Sequence, residues 1–217
     1  MSTAQIAFDL DSLILDLERE LAPAWTGAPL NYHKQYATPA ELDAAFERWK
    51  FENGNFGCIP YSHMWHRDEH IERFTPQPKT SHHHAAYFTA DARCDNDRFG
   101  CKTHQHTPGE IPNDLMYQII CEPCSWHFIG GSENDVAEAW HDHALPGWRE
   151  LPAVPLALSK NRDTKKGGQR LQDWVEEHYP QEWQQTGYPI VTTREAWGTR
   201  HVPGRSPWGG YDLSATQ

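Results

Sequence analysis

The sequence predicts an α+β fold in which helices and irregular, aromatic-rich segments surround a small antiparallel sheet. Helical periodicity marks segments near both ends of the chain, and the clearest strand-like runs lie in the middle. The 217 residues are enough to bury an apolar core, yet only 38% of them are hydrophobic. Ten tryptophans, eight tyrosines and eight phenylalanines supply much of that content. We therefore expect a single domain over residues 1–217 with a core built on large rings.

The first predicted element is an amphipathic helix near the N-terminus. Apolar residues recur at helical spacing, and acidic residues occupy the opposite face. The apolar stripe consists of Ile6, Leu10, Leu13, Ile14, Leu17 and Leu21. Pro23 lies beyond the end of the pattern. We expect this stripe to pack on the core, with partner binding as the alternative role.

A second helix is predicted from its boundary residues. Thr38, Pro39 and Glu41 supply an N-cap, a proline at the first helical position and the acidic residue of a capping box. Asn53 and Gly54 mark its end. The apolar face of this helix consists of Leu42, Ala45, Phe46 and Trp49.

Two groups of histidines follow, and neither favours a metal site. His63, His66 and His70 would share one face of a helix, but no HExxH pattern accompanies them, so a polar face is expected. The three histidines at 82–84 would alternate direction in an extended chain and could not all face one ion. We expect them to lie in a solvated loop that leads into a strand at residues 87–90.

The chemistry of the chain concentrates between residues 94 and 148, where the clearest motif is Cys121-Glu122-Pro123-Cys124. Runs of strand composition flank it at 117–120 and 125–129, so the motif is expected at the tip of a β-hairpin. With two residues between them, both sulfurs can point at one centre. A redox CxxC would instead open a helix, whose dipole lowers the thiol pKa. The motif therefore predicts a zinc-knuckle hairpin.

Two further cysteines complete a possible zinc module over residues 94–148. Cys94 and Cys101 precede the hairpin, and the full spacing is C-x6-C-x19-C-x2-C. Two pairs of thiolates, each presented by a turn, provide the closed tetrahedral shell of a structural Zn²⁺ site. The predicted ligands are Cys94, Cys101, Cys121 and Cys124.

Histidines compete for places in that shell. His104 and His106 would share one face of an extended segment and could replace Cys101 or Cys94. The helix that follows the hairpin begins with a capping box at Ser132 and carries His143 near its end. A CxxC hairpin followed by such a helix is a recurrent zinc-finger geometry. His143 is therefore the first substitute ligand.

Catalysis is the weaker interpretation of the zinc module, and no residue is assigned a catalytic role. A catalytic zinc keeps one coordination position open for water, whereas four cysteines close it. Asp142-His143 has a superficial likeness to the Asp-His of HNH nucleases. Those enzymes also need an asparagine and a histidine downstream, and only Asn161 is near, with no histidine after it until His178. A zinc-dependent nuclease or hydrolase is the least favoured function.

The last third of the chain is predicted to hold one helix and much irregular structure. Residues 159–168 are polar, basic and glycine-containing, so we expect a mobile loop. A helix follows, with Leu171 and Val175 on its apolar face, and Pro180 ends it. The tail at 193–213 interleaves glycine and proline with aromatic residues, which predicts irregular structure pinned by rings.

Charge and terminal composition restrict the location and the partners. A net charge of −11 argues against an electrostatic clamp on nucleic acid and fits docking on a basic protein. No signal peptide and no run of 18 apolar residues is visible, so neither secretion nor a membrane partner is predicted. In the resulting cytoplasmic location, five cysteines indicate metal ligands and a spare thiol rather than disulfides.

Four segments of the chain have distinctive sequences: NFGCIPYSHMW (55–65), ICEPCSWHFIG (120–130), EAWHDHALPGWRELP (138–152) and GTRHVPGRSPWGGYDL (198–213). Together they resemble an uncharacterised family of actinobacterial and actinophage proteins. The resemblance spans most of the chain and implies a phage or mobile-element setting inside the cell. The resemblance implies no catalytic or binding role for any residue.

These observations together predict a non-catalytic, zinc-stabilised accessory protein of a phage or mobile element. We expect it to act by binding a macromolecular partner, in a host-directed or defence-modulating role, and the acidity favours a protein partner. The alternative is nucleic-acid binding through the zinc module and the basic residues of 160–170.

Overall fold

The computed structural model of the chain describes residues 10–53, 63–69, 82–93, 112, 114–194 and 199–216, which form a mixed α/β fold with two sheets. The helices and strands of these residues are, in chain order, α1 (Leu10–Leu21), α2 (Pro39–Asn53), β1 (His66–Arg67), β2 (Ala85–Asp91), β3 (Leu115–Cys121), β4 (Trp126–Gly130), α3 (Glu133–Ala144), α4 (Leu156–Lys160), α5 (Lys165–His178), β5 (Ile190–Thr193), β6 (His201–Val202) and β7 (Asp212–Thr216).

The first sheet is antiparallel and has the strand order β1-β2-β3-β4. β2 pairs with β3 along its whole length, from Ala85 opposite Cys121 to Asp91 opposite Leu115. β3 continues into β4 through a 3₁₀ turn at Glu122–Cys124, with Cys121 opposite Trp126. The predicted small antiparallel sheet and the hairpin around the CxxC motif are confirmed.

This sheet separates two apolar cores, because successive side chains along a strand point to opposite faces. On one face, Ile119 packs in the larger core with Trp140 of α3. On the other face, Ile120 packs with Leu42 of α2 and with Trp65. Trp65 and Trp140 are almost fully buried, which confirms that large rings carry much of the core.

The capping box predicted for α2 is formed. The backbone N–H of Glu41 donates to Thr38 Oγ1 at 3.2 Å, and the N–H of Thr38 donates to Glu41 Oε2 at 2.7 Å. The same contacts lower the pKa of Glu41, because its carboxylate accepts from both the backbone and the side chain of Thr38. The cap aligns α2 so that Leu42 faces the sheet.

The C-terminal tail forms a second sheet, with the strand order β5-β7-β6. β7 pairs in parallel with β5 and antiparallel with β6. The prediction of irregular structure at 193–213 is therefore wrong for β6 and for the start of β7, whereas residues 203–211 between them form neither helix nor strand. β6 has only two residues, too few to show an alternating pattern, and Gly204 and Gly209 adopt positive φ in the return to β7.

The basic segment at 159–168, predicted as a mobile loop, is mostly helical. α4 extends to Lys160, and α5 begins at Lys165 after Thr164, whose Oγ1 accepts from the N–H of Gly167 at 3.0 Å. A Cβ on Gly167 would lie 1.7 Å from the carbonyl oxygen of Asn161. The glycine therefore permits close packing of the turn and does not break the helix.

α1 exists as predicted, but the described side chains of its apolar stripe do not pack on either core. Leu13, Ile14, Leu17 and Leu21 are all exposed, Leu17 to 56% and Leu21 to 81%. The helix is held instead by Arg19, whose Nε donates to the carbonyl oxygen of Phe51 at 2.6 Å. Periodicity identifies an apolar face, but it does not say whether another element of the chain covers that face.

His63 and His66 are not aligned on a helix, and His70 lies outside the described residues. His63 is buried with a positive φ, and its Nδ1 lies 2.6 Å from the carbonyl oxygen of Asp91. His66 belongs to β1, and its Nε2 lies 2.9 Å from Thr89 Oγ1. Each ring is therefore within hydrogen-bonding distance of β2 of the same chain.

Among the described helices, none combines the length and the apolar character that crossing a membrane requires.

His201 links the second sheet to α3 and is predicted to make the fold sensitive to acid. Its backbone N–H and ring Nδ1 both contact Asn134 Oδ1, at 3.1 and 2.8 Å. Burial, with Arg194 and Arg200 nearby, lowers the pKa of His201 to about 4. Glu133 lies 3.6 Å from the other ring nitrogen, but its side chain is 45% exposed and does not offset the burial.

An unfolded histidine takes up a proton near pH 6.5, whereas His201 in the fold stays neutral until about pH 4. Protons thus favour the unfolded chain between these values, and stability falls as the pH decreases through them. Between about pH 7.5 and 5, we expect the free energy of unfolding of the wild type to fall by about 2 kcal/mol more than that of His201→Gln. Urea unfolding at each pH measures this difference. Other titrating groups are common to both proteins, so equal losses would contradict a neutral buried His201.

Candidate metal centre

The turn of the β3–β4 hairpin brings Cys121 and Cys124 together. Cys121 ends β3, and Cys124 ends the 3₁₀ turn that contains Pro123. The next residue, Ser125, adopts the left-handed region at φ 49°, and its N–H donates to the carbonyl oxygen of Glu122 at 2.9 Å. A glycine would be less strained there, because it has no Cβ.

His83 reaches the same place from the segment before β2. Because Ala85 pairs with Cys121, the chain two residues earlier extends beyond the end of the sheet and passes the hairpin turn. His83 Nδ1 lies 3.3 Å from Cys124 Sγ and 3.6 Å from Cys121 Sγ. Strand pairing therefore supplies an imidazole to the two thiols.

His143 approaches from the last turn of α3. The helix begins at the cap formed by Ser132, whose Oγ accepts from the N–H of Asp135 at 3.2 Å. At its other end, the ring of His143 stacks on Trp126 with a centroid distance of 4.2 Å and an interplanar angle of 1°. Its centroid lies 4.7 Å from that of His83. The stack on Trp126 orients the imidazole toward the CxxC motif.

His83, Cys121, Cys124 and His143 form a group that could hold a metal ion. One donor atom from each residue lies within 4.8 Å of all the others, and Cys121 is buried while the other three are half-buried. In a tetrahedral site with metal–donor distances near 2.0–2.3 Å, donor atoms are about 3.5 Å apart. Only a small contraction of the side chains would close such a shell.

The protonation of the two histidines suits a cation. Burial lowers the pKa of His83, with contributions from His82 and His84, and burial together with His83 and His82 lowers that of His143. Both rings are thus neutral and have lone pairs at physiological pH. Burial, with a contact to Cys121, raises the pKa of the Cys124 thiol. A bound cation would reverse that preference and favour the thiolate.

Three of the residues predicted from the sequence meet in this group: Cys121, Cys124 and the substitute ligand His143. Cys94 and Cys101, with the competing His104 and His106, lie outside the described residues.

His83 is the residue that sequence reasoning missed. The three histidines at 82–84 cannot all face one ion, but one of them is enough to contribute a ligand. His82 is exposed, with its ring centroid 3.9 Å from that of His83. The usable signal was the predicted strand directly after the histidines, because pairing it with the strand before the CxxC motif places residue 83 at the hairpin turn.

Comparison with known proteins identifies the family and nothing further. A family model described as a family of unknown function (DUF6349) matches residues 27–217, so the chain belongs to that family. The predicted resemblance to an uncharacterised family agrees with this match. No curated protein and no solved structure matches the chain.

Metal binding at this centre should release protons from the two thiols. Near pH 7.5, we expect addition of Zn²⁺ to the metal-free chain to release about two protons per bound ion, because thiols bind metals as thiolates. The neutral imidazoles should contribute few. The measurement is titration in a weakly buffered solution with a pH indicator. Cys124→Ser should lower the release, whereas binding without release would exclude the thiols as ligands.

Proposed function

We propose that this member of the family is a non-catalytic protein, stabilised by one zinc ion, that acts by binding a macromolecular partner. The observation that carries the proposal is the convergence of His83, Cys121, Cys124 and His143 within 4.8 Å. Two sulfur and two imidazole donors are a typical set for structural Zn²⁺. The hairpin that presents the cysteines would then be a zinc knuckle.

The proposed zinc would connect three segments that are distant in sequence. His83 precedes β2, the cysteines lie in the β3–β4 turn, and His143 lies at the end of α3. Since these ligands are together only in the folded chain, the free energy of zinc binding contributes directly to folding. The large core next to the site, which includes Trp140, would depend on that connection.

The same donor set argues for a structural rather than a catalytic ion. Four protein donors complete a tetrahedral shell, so no coordination position remains for a water that would be activated. Hydrolysis of a nucleic acid or an ester by the zinc-loaded protein, abolished by chelation, would contradict this part of the proposal.

The partner-binding role is supported by surface charge. A net charge of −11 favours association with a basic protein surface and disfavours phosphate backbones. In this proposal the protein works in the cytoplasm, where thiols stay reduced and available to zinc. The sequence resemblance described above would place it in a cell that carries a phage or mobile element.

Substitution of single ligands tests the proposed ligand set. We expect His83→Ala and Cys121→Ser to abolish stoichiometric zinc, measured by elemental analysis, and to lower the melting temperature because the ion no longer contributes to folding. Cys94→Ser should retain one zinc per chain. His82→Ala is the matched control, because its exposed ring adjoins His83 without belonging to the group.

The opposite result would be loss of zinc from Cys94→Ser while His83→Ala still binds zinc. It would support the four-thiolate set of Cys94, Cys101, Cys121 and Cys124. Unchanged melting of the wild type after chelation would contradict a structural role for any ion.

A capture experiment tests the partner-binding role. A protein that the zinc-loaded wild type captures should not be captured by Cys121→Ser.

Nucleic-acid binding is the second candidate, and one observation favours it. Lys165 and Lys166 are exposed in the first turn of α5, and Arg170 is exposed one turn later. Helix N-termini attract phosphates through their free N–H groups and dipole. The acidity of the whole chain works against this function.

If this candidate holds, a double variant, Lys165→Ala with Lys166→Ala, should weaken nucleic-acid binding. The slope of log affinity against log salt should fall in magnitude by about two, since each lost phosphate contact contributes roughly 0.9. Fluorescence anisotropy with a short labelled duplex measures both quantities. Absence of binding at low salt would eliminate the candidate.

A further inference from the structure

The exposed apolar side chains of the described residues are concentrated on one helix. Among the described residues, the exposed large hydrophobic ones are Leu13, Ile14, Leu17, Leu21 and Phe128. All but Phe128 belong to α1. A contiguous apolar patch with a polar border on a soluble protein marks an interaction surface.

The pattern on α1 is that of a coiled-coil seam. Leu17 follows Ile14 by three residues, and Leu21 follows Leu17 by four, so the three side chains lie along one line of the helix. This spacing makes Ile14 an a position, Leu17 a d position and Leu21 the next a position of a heptad. An isoleucine at a with a leucine at d is the combination that favours pairs of helices.

Two of the positions that border this seam are acidic, whereas the g position before Ile14 is the apolar Leu13. In the same register Glu18 is an e position and Glu20 a g position, and both are exposed. The nearby cation, Arg19, points elsewhere: its Nε donates to the carbonyl oxygen of Phe51 and its Nη1 to Asp16 Oδ1. The seam is therefore bordered by negative charge that Arg19 does not neutralise.

From the seam and its charges we propose that α1 is a docking helix that pairs with a basic amphipathic helix of a partner protein. The charges at e and g select the partner, because they face the g and e positions of the opposing helix. Lysine or arginine at those positions would form ion pairs with Glu18 and Glu20. A second copy of α1 would instead set acidic residues against each other, which disfavours self-association.

Two further features suit α1 to this role. The contact of Arg19 with the end of α2 holds the helix on the protein while its apolar stripe stays exposed. The helix also lies before residues 27–217, so the proposed docking surface is outside the part of the chain that matches the family. The inference rests on the proposed partner-binding function and names the surface and the chemistry of the partner.

Synthetic peptides provide the test. One three-heptad helix has isoleucine at a, leucine at d and lysine at e and g, and a second differs only by glutamate at e and g. With the full-length, zinc-loaded chain, we expect the lysine peptide to bind at least about tenfold more tightly in fluorescence anisotropy. Leu17→Asn should weaken that binding about tenfold, since it places an amide in the seam.

A charge reversal makes the test specific. The double variant Glu18→Lys with Glu20→Lys should invert the preference, so that the glutamate peptide binds more tightly. Glu176→Lys with Glu177→Lys makes the same change in total charge on exposed positions of α5 and should leave the preference unchanged.

Several outcomes would overturn the docking helix. They are equal binding of both peptides, an unchanged affinity with Leu17→Asn, and inversion by the control variant on α5. Sedimentation that shows a dimer of the wild type, converted to monomer by Leu17→Asn, would assign the seam to a second copy instead. Zinc content measured in the same samples separates the docking proposal from the zinc proposal. A zinc-loaded chain that binds neither peptide would contradict the docking helix but not the zinc centre.

Discussion

The register between β2 and β3 is the constraint on which the candidate centre depends. Ala85 opposite Cys121 places the residue two positions earlier beside the CxxC turn, and the β3–β4 hairpin places both sulfurs at the same end of the sheet. A shift of one residue would move every side chain of β2 to the other face. It would separate His83 from the cysteines and exchange the two cores.

The sheet resists such a shift because both of its faces are buried. Ile119 and Ile120 are adjacent in β3, yet each is fully buried in a different core. A slipped strand would place residues shaped for one core into the other, so the packing of several side chains would be lost rather than that of one. The packing of α2 and α3 on opposite faces thus protects the geometry of the candidate metal centre.

The second sheet holds the basic segment through a buried charge. Asp212 is fully buried in β7, where its Oδ1 accepts from Thr192 Oγ1 at 2.6 Å and pairs with Arg194 at 2.8 Å. Arg162, between α4 and α5, forms an ion pair with the same carboxylate. Because an unpaired buried carboxylate is strongly unfavourable, this pair fixes the turn before α5. The basic segment at 159–168, which the sequence predicts as a mobile loop, is therefore part of the fold.

Local chemistry in the sequence determined the elements whose signals are short-range. They are the capping box of α2, the Ser132 N-cap of α3, the hairpin around Cys121 and Cys124, and the helix that carries His143. Those signals depend on residues a few positions apart. The tertiary structure decided the rest, which includes the place of His83, the second sheet, the order of the basic segment and the exposure of α1. Each of these depends on pairing or packing between segments far apart in sequence, which periodicity and local propensity do not encode.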